Sequence, residues 1–103
     1  MRAATINKAY IFESLKLHRN EIKAFGVHSL GLFGSFVKGT AGENSDIDLL
    51  VSFEPQRKTY DNFMELSFFL EHLFNRKIEL VTPQSLNKHI GPHILKEVEN
   101  VGI

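Results

Sequence analysis

From Asp46 to Phe53 the chain alternates in a way that suits only one kind of secondary structure. Ile47, Leu49 and Val51 fall on one side of an extended segment, and Asp46, Asp48 and Leu50 fall on the other. Pro55 closes the run. A strand patterned like this needs strand neighbours along its edges and an apolar layer over one face. Ten residues separate Asp46 from an upstream pair, Gly34-Ser35, which follows a second short apolar run, Val27–Phe33, rich enough in β-formers to be a partner strand.

The covering layer is also legible. Residues 6–25 place Ile11, Leu15, Ile22 and Phe25 on one helical stripe, leave Lys8, Lys16, Arg19 and Lys23 mostly on the wet side, and stop at Gly26. Phe36–Lys38 can begin a short helix, and Gly39–Asn44 reads as a loop. After a loop holding Arg57 and Lys58, residues 60–75 repeat the helical spacing with Phe63, Leu66, Leu70, Leu73 and Phe74. Lys77–Thr82 is a third strand: Ile78 and Leu80 share one face, and Lys77, Glu79 and Val81 share the other. Pro92 is placed to open a last helix, 92–99. The order α-β-α-β-α-β-α predicts an α/β domain over residues 1–103, a small sheet backed by helices.

Composition narrows the function classes. The 103 residues are enough for one compact domain. Twelve Lys and Arg balance twelve Asp and Glu, so no global positive field draws the chain to nucleic acid. Residues 43–54 depart from that balance, with Glu43, Asp46, Asp48 and Glu54 and no basic residue, a local negative site suited to a cation. The lack of cysteine excludes disulfides and thiolate chemistry and fits a reducing cytoplasm. No run is apolar enough to span a membrane, and Met1–Thr5 lack the apolar core of a leader.

Carboxylates two residues apart on a strand point the same way, with Cα atoms roughly 6.5–7 Å apart, and can converge on magnesium. Magnesium takes a few carboxylate oxygens plus water and substrate phosphates, so two or three acids suffice. Without metal, Asp46, Asp48 and Glu79 would repel, raising the pKa of at least one. The plainer alternative is a strand with a solvated outer face. Gly34-Ser35 has two readings as well: a turn chosen for sterics and capping, or a phosphate cradle in which backbone N–H groups and the Ser35 hydroxyl donate to an anion. Lys38 can touch phosphate or be solvated. His18, His28, His72, His89 and His93 lack metal-ligand spacing and read as surface or packing residues.

The stretch Gly34-Ser-Phe-Val-Lys-Gly-Thr-Ala-Gly-Glu-Asn-Ser-Asp-Ile-Asp-Leu-Leu-Val51 resembles the signature of DNA polymerase beta-like nucleotidyltransferases. It is most similar to the minimal nucleotidyltransferase (MNT) proteins, which act as antitoxins of HEPN-domain toxins. The resemblance implies a mixed β-sheet with helices on one side, and transfer of a nucleoside monophosphate from a triphosphate to a hydroxyl. It implies that Gly34 and Ser35 hold the triphosphate, with Lys38 beside them. By the same resemblance Asp46 and Asp48 are magnesium ligands, and Glu79 stands for the third acid, as metal ligand or base. Two positions depart from the pattern: the third acid is commonly aspartate, and Lys38 stands where arginine is common.

The activity implied is an ATP- and Mg2+-dependent antitoxin that attaches AMP to a hydroxyl, a tyrosine, of a HEPN-domain toxin, working as a hetero-oligomer in the cytoplasm. The domain is too small to include an acceptor-binding partner domain. The apolar arc of Met64, Phe68 and Phe69 beyond the core stripe fits an interface with a second chain, or else a wide core. Arg57 and Lys58 read as a solvated loop or a contact for an acidic partner. Two other functions fit the same residues: neutralisation by binding alone, and nucleotidyl transfer to a small molecule such as an aminoglycoside with a helper chain.

Overall fold

The computed structural model describes residues 6–103; Met1–Thr5, the stretch read as lacking a leader's apolar core, lie outside the described residues. Helices α1 (Lys8–Leu17) and α2 (Arg19–Ala24) lead into β1 (Val27–Phe33), short α3 (Ser35–Lys38) and β2 (Ile47–Phe53). Helix α4 (Tyr60–Phe74), β3 (Ile78–Val81), a 3₁₀ turn (Pro83–Ser85), α5 (Gly91–Glu97) and β4 (Glu99–Val101) complete the chain. The strands form one mixed sheet in the order β3-β2-β1-β4. β1 runs antiparallel to β2 and β4, whereas β2 and β3 are parallel, joined by the α4 crossover.

The predicted alternation fixes the layers. Ile47, Leu49 and Val51 of β2 are buried with Leu30 and Leu32 of β1 and Ile78 of β3. Ile11 and Leu15 of α1, Ile22 of α2 and Leu66, Leu70 and Phe74 of α4 join them in one core. Capping makes the helices start where they do: the Asn7 side chain accepts from the Tyr10 N–H, and that of Thr59 accepts from the Asn62 N–H. Asn75 ends α4 in the left-handed region. The opposite face of the sheet is thinner. There Gly31 leaves room for Val98, just past α5; a Cβ at residue 31 would come within 2.6 Å of Val98 Cγ2.

Four details of the sequence reading need correction. The single helix expected over 6–25 is two, parted at His18, which leaves helical dihedrals while its ring packs edge-on against Phe69 at 6.0 Å. The last helix ends at Glu97 rather than 99, because Glu99–Val101 instead cover the free edge of β1 as a fourth strand. Arg57 is not a free loop cation: its guanidinium donates to the Ala24 carbonyl at 2.8 Å and its stem packs over Gly26. Phe69 belongs to the packing, against Phe25 and His18. Phe68, by contrast, is 54% exposed and Met64 half-buried.

Candidate active site

The site lies at the end of the sheet where β1 finishes and β2 and β3 begin. Antiparallel pairing sets Phe33 opposite Asp48, so the Gly34 turn comes down beside that aspartate. Parallel pairing sets Asp48 beside Glu79 on the next strand, both on the face away from the α4 core. Asp46 precedes β2 by one residue and follows the loop from α3. Its carboxylate lies 3.9 Å from Lys77 Nζ. Arg76 braces the loop by donating to the carbonyls of Gly42 and Ser45 and rests over the Phe36 ring.

Gly34 is needed for both backbone and space. Its φ of +78° is open to glycine and strained for other residues. Any Cβ there would run into the Asp48 carboxylate. The turn is closed by the Val37 and Lys38 amides, which donate to the Gly34 carbonyl at 3.1 and 3.0 Å. Ser35 opens α3 and is half-buried, whereas Lys38 at its end is exposed. Asp46, Asp48, Glu79, Gly34, Ser35 and Lys38 thus come to one end of one sheet from three separate stretches of chain.

A residue that the sequence reading passed over joins them. Glu97, the last of α5, accepts from the Gly34 N–H at 3.2 Å, and its other oxygen lies 3.6 Å from Lys38 Nζ. No local motif marks it, since it stands 63 residues from Gly34 in sequence. Only the return of the chain through α5 into β4 brings it there.

The electrostatic result is concentrated on Asp48. Its pKa is raised from 3.8 to about 6, first by burial, then by the charges of Glu79, Asp46 and Glu97, with Lys38 opposing. The repulsion expected among facing acids is present, though burial contributes more. Among the described residues no three acidic or imidazole side chains converge tightly enough to enclose a metal ion. The donor set still fits magnesium, which accepts one or two carboxylates and completes its shell with water and phosphate oxygens. An Asp48 carboxylate held against three other acids gains most from a divalent neighbour.

The mixed four-stranded sheet thus sets two aspartates at the start of one strand beside a glycine turn from its antiparallel neighbour. The solved structure of a candidate minimal nucleotidyltransferase superposes with a TM-score of 0.71 at 28% identity, covering 94% of this chain and 98% of that one. The chain belongs to the nucleotidyltransferase domain family, whose model matches residues 15–102, and is a nucleotidyltransferase. It is 41% identical over 85 residues to the protein adenylyltransferase MntA of Thermococcus cleftensis, an overlap of 82% of this chain and 85% of that protein. The crystal structure of a toxin-antitoxin with AMP-PNP shares the fold, with a TM-score of 0.69 at 24% identity over 88% of this chain and 72% of its own. No helix among the described residues is long and apolar enough to cross a membrane.

Proposed function

We propose that this chain is a protein adenylyltransferase that moves AMP from ATP to a side-chain hydroxyl of a partner protein, a tyrosine of a HEPN-domain toxin, and silences the partner by doing so. The observation that carries the chemistry is the Asp46–Asp48–Glu79 edge standing against the Gly34 turn, with Asp48 held near a pKa of about 6. The partner class is supported by likeness to the MntA adenylyltransferase and by a shared fold with a toxin–antitoxin pair.

Asp46 and Asp48 would hold magnesium, which when bound screens the charge of the triphosphate and of the departing pyrophosphate. Gly34, Ser35 and Lys38 receive triphosphate oxygens: the glycine lets the backbone come close, and the hydroxyl and ammonium donate. The acceptor oxygen forms a bond to the α-phosphorus as the bond to the bridging oxygen of pyrophosphate breaks. The acceptor's proton passes to a carboxylate, and Glu79, exposed at the sheet edge, is the group open to an incoming hydroxyl. The acceptor belongs to a second chain in a hetero-oligomer, and the reaction runs in the cytoplasm without nucleic acid.

Radiolabelled ATP separates this from kinase chemistry. With magnesium and the co-purified partner, label at the α-phosphate should move to protein and label at the γ-phosphate should not. Transfer from the γ position, or equal transfer by Asp46→Asn/Asp48→Asn, would remove the assignment.

A further inference from the structure

We propose that Glu97 is an internal occupant of the phosphate seat, which an incoming triphosphate has to expel. The inference rests on the reading above, in which Gly34 and Lys38 receive triphosphate oxygens. In the structure both groups are engaged, and by one carboxylate. Glu97 Oε1 takes the Gly34 N–H at 3.2 Å, and Oε2 lies 3.6 Å from Lys38 Nζ.

The contact is not a loose surface pair. The Glu97 side chain is 26% exposed against 59% for Lys38, so the acid is the more enclosed partner. It is held there despite the acids of the opposite strands: Asp48 feels the charges of Glu79, Asp46 and Glu97 together. One hydrogen bond and one cation offset that repulsion, and Val98, packed on Gly31, fixes the backbone that delivers Glu97. A phosphate oxygen and a carboxylate oxygen cannot share the Gly34 N–H, and their charges repel at that separation. Occupation is therefore exclusive. Because Glu97 is the terminal residue of α5, a change of its rotamer vacates the seat while the helix stays in place.

Internal competition lowers apparent nucleotide affinity by the fraction of chains in which the seat is vacant. It also keeps the Gly34 amide paired when no nucleotide is bound, holding the turn in its working shape. Glu97 thus acts as a positioning residue and a brake on nucleotide binding.

The test is isothermal titration of Mg2+·AMP-PNP into the full chain, comparing wild type, Glu97→Ala and Glu97→Gln. Loss of one charge-assisted contact and its repulsion should tighten binding about tenfold in Glu97→Ala. Glu97→Gln, which keeps shape and an acceptor, should shift affinity the same way by less, and serves if the alanine variant folds poorly. The Gly34 amide resonance should move in wild type on nucleotide binding, and in Glu97→Ala already without it. Unchanged or weaker nucleotide binding in the variants overturns the proposal. If AMP-PNP binds wild type and variants alike, the proposal for Glu97 falls while the reading of Gly34 and Lys38 as the triphosphate seat stands. If it binds none of them, the seat itself fails and the proposed function with it.

Discussion

Gly34 and Asp48 share one volume: the hydrogen that glycine carries in place of a side chain is what leaves room for the Asp48 carboxylate across the β1–β2 ladder. The turn and the acid are therefore a single structural unit, even though α3 and a loop separate them along the chain. Gly34→Ala should lower stability by about 2 kcal/mol or more, from a left-handed φ of +78° combined with the collision. It should also abolish AMP transfer by displacing Asp48. Thermal unfolding and a label-transfer assay check both; a stable, active alanine variant would contradict the coupling.

Asp48 should leave a pH signature in the metal-free protein. Its folded pKa of about 6 lies above the ordinary 3.8, so between those values the native state binds more protons than the unfolded chain. Stability then falls as pH rises through that window and stays lower above it. Asp48→Asn should flatten this slope and stabilise the metal-free protein above the window by about 1–2 kcal/mol, after allowance for partial exposure, while losing transfer. Urea unfolding at a series of pH values with chelator present is the measurement. An undiminished slope in the variant would assign it to another group.

Arg57→Ala should cost about 1 kcal/mol, since it removes the 2.8 Å bond to the Ala24 carbonyl that ties the loop after β2 to the turn after α2. Chemical denaturation reads this directly. A neutral result would make Arg57 the solvated cation that its loop position suggests.

Phe68→Glu should leave the melting temperature nearly unchanged, because the ring is 54% exposed and lies outside the core. In a complex with the partner chain it should weaken association at least tenfold. Leu70→Ala, two residues further along α4 on its buried side, should do the reverse: a loss of about 2–5 kcal/mol in stability. Calorimetry and surface binding of the two variants would separate interface from core.

Much of the fold was legible because its signals are local. The period of two in 46–53, the helical stripe of Leu66, Leu70 and Phe74, and Gly26 at a φ of +89° each settle conformation within a few residues. β4 was not legible: Glu99-Asn100-Val101 is too short to show a period and becomes a strand only because β1 offers it an edge. The division at His18 has no glycine or proline to announce it; a tertiary contact with Phe69 accompanies it. Of the candidate site, motif spacing points to Gly34, Asp46 and Asp48, and strand parity points to Glu79. Glu97 was out of reach, since its place beside Gly34 depends on how α5 turns back over the sheet.

The central claim is that the two aspartates of β2 support AMP transfer to another protein, and one measurement addresses it most directly. The chain and its co-purified partner are incubated with ATP and magnesium, and the intact mass of each is recorded for wild type and for Asp46→Asn/Asp48→Asn. The account predicts one or more AMP additions on the partner with wild type and none with the double variant. An unmodified partner in a stable wild-type complex, or equal modification with the double variant, would contradict it.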